Sequence, residues 1–110
     1  MTSELSQKHC KPCEGKEDAL DPSRIKELHQ ELNNDWALIE DHHIEKEFQF
    51  EGYEPAVEFT NTVANLAQEE NHHPDILLAY GKVKVTLWTH KAGGLTENDF
   101  VLAAKIEEQR

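Results

Sequence analysis

Ile76-Leu77-Leu78-Ala79-Tyr80-Gly81-Lys82-Val83-Lys84-Val85-Thr86-Leu87-Trp88-Thr89 is the stretch that decides the fold. Two runs rich in apolar and β-branched residues flank a Gly-Lys pair, and such side chains suit a pleated, half-buried surface. The pattern predicts an antiparallel hairpin, with a strand over residues 76–80, a tight turn at Gly81-Lys82 and a strand over residues 83–89. In the second run Val83, Val85 and Leu87 alternate with Lys84, Thr86 and Trp88. Side chains alternate faces along a strand, so the first set points to a core and the second points away from it.

A similar unit lies upstream. Residues 36–39 read as a short first strand and Asp41-His42-His43 as a turn. Ile44, Phe48 and Phe50 then alternate with Glu45, Glu47 and Gln49, and Lys46 is the one polar break on the inner face. Between the two hairpins, Val57, Thr60, Val63, Ala64 and Ala67 share a helical face, which predicts a helix over about residues 55–69. An earlier helix starts at Asp21-Pro22, carries Ile25, Leu28 and Leu32 as one apolar stripe, and stops at Asn33-Asn34-Asp35. A last helix starts at Thr96, where Thr96 with Asp99 resembles a capping box and Leu95 with Phe100 has staple spacing; Phe100, Ala103, Ala104 and Ile106 turn inward. The expected fold is α+β: a four-stranded antiparallel sheet with three helices on one face, in the order α-β-β-α-β-β-α, over residues 21–110. Residues 1–20 read as a polar, dispensable tail without helical or strand period.

The chain of 110 residues favours one domain. Its 37% hydrophobic and 30% charged content is that of a folding chain. No apolar run is long enough to span a bilayer, and residues 1–15 lack the apolar stretch of a signal peptide. The cytoplasm is the default expectation. A net charge of −11, from 22 acidic and 11 basic residues, disfavours direct nucleic-acid binding, which needs clustered Lys and Arg.

The candidate chemistry lies at His72-His73-Pro74 and His90. Imidazoles move protons near neutral pH without special help. Pro74 biases His73 away from helical backbone, so the pair is expected on a loop leaving the second long helix, with both rings able to face one cleft. A dipole-favoured, solvated helix end is the blander reading. His90 belongs by period with Lys84, Thr86 and Trp88, off the core face, which suits a site residue or a solvent-exposed one. One hairpin separates it from His73. Three histidines can hold zinc, but the spacing of paired helical ligands is absent, and no metal is expected. His42 and His43, among Glu40, Asp41 and Glu45, read as a solvated turn. Cys10 and Cys13 form a Cys-x-x-Cys beside His9; no second pair completes a zinc site, and no thioredoxin-like context supports redox work. Asp99 is explained by capping alone, and Trp36 and Trp88 more readily by packing than by binding.

Taken together, His72-His73-Pro74, the run from Tyr80 to His90 ending Trp88-Thr89-His90, and Gly94-Leu95-Thr96-Glu97-Asn98-Asp99 resemble the pterin-4a-carbinolamine dehydratases, particularly their bacterial branch. The resemblance runs from about Leu20 to the C-terminus. It implies dehydration of 4a-hydroxytetrahydrobiopterin or a related carbinolamine to quinonoid dihydropterin and water, which recycles the pterin of an aromatic amino acid hydroxylase. It implies His72 and His90 as the acid–base pair, and His73, Pro74, Trp88 and Asp99 as substrate-binding or orienting residues. No cofactor is implied, and a homodimer or homotetramer is. Two departures stand out: Gln68 occupies a place often held by Glu, and Asn71 one often held by Asp. The other reading that the resemblance allows is a non-catalytic dimerisation, regulatory or assembly partner on the same fold. Retention of all three histidines favours the enzyme.

Overall fold

A computed structural model describes residues 4–10, 19–32 and 35–109. The elements run α1 (Glu4–Gln7), α2 (Pro22–Leu32), β1 (Ala37–Ile39), β2 (His43–Gln49), α3 (Tyr53–Glu70), β3 (Asp75–Ala79), β4 (Lys82–Leu87) and α4 (Glu97–Glu107). The strands form one antiparallel sheet in the order β1-β2-β4-β3. The expected α+β architecture is present, with one helix more than the sequence reading supplied.

The period of two sets the core. Ile44 and Phe48 on β2, and Val83, Val85 and Leu87 on β4, are fully buried against the helices. Lys46 reaches from the inner face of β2 to pair with Glu107 of α4, so the polar break has a charged partner. From the helices come Ile25, Leu28, Phe59, Val63, Phe100, Leu102 and Ile106. Burial of such side chains contributes about 1.5–3 kcal/mol each. The N-terminus of α4 is built as expected: the Asp99 carboxylate accepts the Thr96 amide N–H at 2.9 Å, and Leu95 and Phe100 are both buried.

Several boundaries differ. The hairpin turns at Tyr80 and Gly81, with Lys82 already in β4. Gly81 has φ 68°, and a Cβ there would lie 3.0 Å from the Phe50 carbonyl, so the register follows the glycine. His43 opens β2 rather than closing the preceding turn. Helix α3 starts two residues early, at Tyr53, and ends at Glu70. The largest difference lies in the segment read as a polar tail. It contains α1, which packs on α4 and buries Leu5 completely in the core. One apolar residue in a four-residue helix leaves no period to find; only the acceptor surface on α4 gives Leu5 its meaning. Cys13 lies outside the described residues.

Candidate active site

Helix α3 ends in a turn that aims the first histidine. Asn71 adopts the left-handed conformation (φ 52°, ψ 41°), which Asn tolerates better than most residues. The Asn71 amide donates to the Gln68 carbonyl at 3.3 Å and the His72 amide to the Ala67 carbonyl at 3.1 Å. This is the Schellman pattern, and it reverses the chain within two residues. The adjacent histidines then diverge. His72 Nε2 lies 2.6 Å from Asp99 Oδ1 at the start of α4, whereas His73 Nε2 lies 3.2 Å from Gln68 Oε1, back on α3.

Asp99 is the centre of the polar network. It is fully buried, and its Oδ2 accepts both the Thr96 amide and the Thr89 hydroxyl at 2.9 Å. Thr89 and Thr96 hydroxyls bond each other at 2.9 Å. Among the described residues no buried side-chain polar atom lacks a partner. A carboxylate only accepts, so its contact with His72 assigns the proton to Nε2. Nδ1 is the remaining ring nitrogen. The pair becomes an ion pair when the ring is protonated.

His90 follows β4 in a loop closed by the Thr89–Gly94 bridge. Its ring is exposed and stacks on Trp88, with centroids 3.9 Å apart and planes at 21°. Trp88 also meets His42, at 4.5 Å between centroids. His42 and His43 are therefore half-buried and in contact with the neighbourhood of His90, with their Nδ1 atoms 3.1 Å apart. The solvated-turn reading of this pair is corrected: β1 and β2 deliver the turn onto the outward-facing Trp88, a contact that local sequence does not encode.

One cleft of about 690 Å³ gathers His72, His73, Pro74, Trp88 and His90, with Thr89, Asn98, Cys10 and Glu70 among its other walls. Asp99 lies behind it, joined through His72. The six residues expected at the site, His72, His73, Pro74, Trp88, His90 and Asp99, thus line this cleft or support it. Thr89, Asn98 and Glu70 were missed as members, Cys10 was read only as part of a tail, and His42, outside the lining, was read as solvated although it packs on Trp88. Among the described residues no group of three or more His, Cys, Asp and Glu is placed to hold a metal ion, and no helix is long and apolar enough to cross a membrane.

The profile of the family described as pterin 4 alpha carbinolamine dehydratase matches residues 18–109. The chain belongs to this family. A relative from Alkaliphilus metalliredigens, provisionally named as a pterin-4-alpha-carbinolamine dehydratase, is 46% identical over 106 residues, covering 96% of both chains. One from Rubrobacter xylanophilus, named in the same way, is 42% identical over 96% of this chain and 97% of its own. Among solved structures, a transcriptional coactivator/pterin dehydratase from Brucella melitensis superposes with a TM-score of 0.74, at 32% identity over 81% of this chain and 95% of that one. A pterin dehydratase-like RuBisCO assembly factor of the alpha-carboxysome shares the fold, with a TM-score of 0.58 and 24% identity over 70% and 90% of the two chains.

Proposed function

We propose that this pterin dehydratase family member converts a pterin-4a-carbinolamine, such as 4a-hydroxytetrahydrobiopterin, to the quinonoid dihydropterin and water. The C4a–O bond breaks, and the hydroxyl takes up one proton to leave as water. N5 gives up its proton, and the N–H electrons become the C4a=N5 double bond. One proton enters and one leaves, so the reaction balances without a redox cofactor. The task is general acid–base catalysis, typically worth about 10²–10⁴ in rate for each positioned group.

The contact between Asp99 and His72 carries this reading. With Nε2 committed to the carboxylate, Nδ1 is the atom left to exchange a proton with substrate. The carboxylate orients the ring and compensates the positive charge that develops when Nδ1 takes a proton. His90, stacked on Trp88 at the other side of the hairpin, is the proposed second proton carrier. His73 and Pro74 line the same cleft and are proposed to bind the pterin, with Trp88 supporting His90. A stopped-flow assay on chemically prepared carbinolamine tests the proposal. Faster formation of quinonoid dihydropterin supports it, and a rate equal to the uncatalysed one refutes it.

The proposed setting is the cytoplasm, where the reaction would return pterin to an aromatic amino acid hydroxylase. A homodimer or homotetramer is also proposed. Strand β3 is a sheet edge, and Leu77 on it and Tyr80 beside it are 51% and 79% exposed, a combination that invites strand pairing. Sedimentation is expected to show a species larger than monomer at micromolar concentration; monomer alone would contradict this. The same exposed edge is what favours the second reading, a partner protein in regulation or assembly, the roles named for the two solved neighbours. Absence of catalysis with self-association intact would turn the balance to it.

A further inference from the structure

We propose, on the dehydratase reading, that Cys10 forms one wall of the substrate cleft and that Glu70, paired with His9 and the Cys10 amide, is the positioning residue that latches it there. The N-terminal segment is then part of the binding site rather than an appendage.

Glu70 ends α3, and its side chain is only 8% exposed. A carboxylate this buried costs free energy unless it is paired. Its partners come from the segment 60 residues earlier. Oε1 accepts the Cys10 amide N–H at 2.8 Å, and Oε2 lies 3.0 Å from His9 Nδ1. Burial is the largest single influence on this carboxyl and pushes its pKa up; the Cys10 amide, His9 and Lys105 together pull it below the ordinary value. The group remains a charged acceptor at neutral pH.

Other contacts hold the same segment. Leu5 is fully buried against α4, and Lys105 Nζ donates to the Ser6 carbonyl at 2.7 Å. Beyond Glu70 the segment reaches the cleft itself. The Cys10 thiol lies 3.6 Å from the Asn98 carbonyl, and both residues line the cavity shared by His72, His73 and His90. The proton-handling residues sit on the loops after α3 and β4, whereas this wall comes from the N-terminus. Opening the latch should therefore weaken substrate binding and leave the chemical step nearly intact.

The test uses full-length protein carrying Cys13→Ser, so that Cys10 is its single thiol. Iodoacetamide alkylation of Cys10, followed by mass, reads the latch without reference to activity. Glu70→Ala is expected to raise the alkylation rate by about fivefold or more, because the segment opens more often. It is expected to raise KM by about threefold or more with kcat within about twofold. Glu70→Gln keeps an oxygen acceptor for the Cys10 amide and is expected to restore both values most of the way, which a general loss of stability would not do. Unchanged alkylation in Glu70→Ala overturns the latch. Faster alkylation with unchanged KM overturns the cleft wall. A parent protein that does not dehydrate the carbinolamine overturns the dehydratase reading instead, and alkylation still decides the latch.

Discussion

Replacing Asp99 by Asn changes one oxygen to an amide nitrogen and little else, yet it should nearly abolish catalysis. The amide has two orientations in the site. The Thr96 backbone N–H, 2.9 Å from Oδ2, is a fixed donor and demands an oxygen. The NH₂ group must then take the place of Oδ1 and face His72 Nε2 across 2.6 Å. Two donors cannot share that contact, so the ring sheds its Nε2 proton and carries it on Nδ1. The atom proposed to exchange a proton with the pterin is then in the wrong tautomer for a base. The expected loss in kcat is roughly 10²–10⁴, the span of a positioned acid or base. The matching exchange in a serine-protease triad costs about 10⁴ for the same reason. Stability should change less. A charge-assisted hydrogen bond of about 1.5–3 kcal/mol becomes a neutral one of about 0.5–1.5 kcal/mol, a difference of about 1–1.5 kcal/mol. For a domain of this size Tm should fall by roughly 4–10 °C. Stopped-flow kinetics on the carbinolamine and a thermal melt by circular dichroism measure the two effects. A folded Asp99→Asn protein with kcat within about threefold of the parent would refute the tautomer argument.

His72→Ala and His90→Ala should each lower kcat by roughly tenfold or more, the double variant should approach background, and His73→Ala should act mainly on KM, all by steady-state kinetics. His72→Ala should also lower Tm, since it strips one partner from the buried Asp99, at about 1–3 kcal/mol. His42→Ala should weaken the support of Trp88 and His90 by about 0.5–1.5 kcal/mol and lower kcat/KM accordingly, while leaving the core intact. Leu5→Ala should destabilise the protein by about 2–5 kcal/mol in urea unfolding, and a chain beginning at Leu20 by at least as much; no change in midpoint would mean that α1 does not pack as described. Glu70 has a lowered pKa in the folded protein, so its stabilising effect is present above the unfolded value of about 4.5 and is lost as pH falls through the lower folded value. The stability gap between the parent and Glu70→Gln should therefore be present above the unfolded value of about 4.5 and shrink as pH falls below it; a gap that widens below that value would reverse the sign of the argument.

Most of the architecture was legible because the signals that set it are local. Val83, Val85 and Leu87 against Lys84, Thr86 and Trp88 state both a strand and its buried face, since a pleated backbone leaves no other way to separate them. Thr96 and Asp99 mark a helix start because the orphan amides of a first turn need an acceptor three residues away. Pro74 after two histidines predicts a loop, and the structure has one. The residue types that bear the chemistry were visible in the same way. What tertiary structure decided are the contacts between segments far apart in the chain. Asp99 reads as a cap from sequence, and only the packing of α4 beside the exit of α3 turns its second oxygen on His72, 27 residues away. His42 reads as solvated until the sheet brings it onto Trp88. Leu5 and Cys10 read as tail because a short segment with one apolar residue has no period, and their roles come from α4 and from Glu70, 60 residues beyond Cys10. Sequence specifies which face each element buries, whereas the partner of a polar side chain depends on which elements the closed core sets side by side.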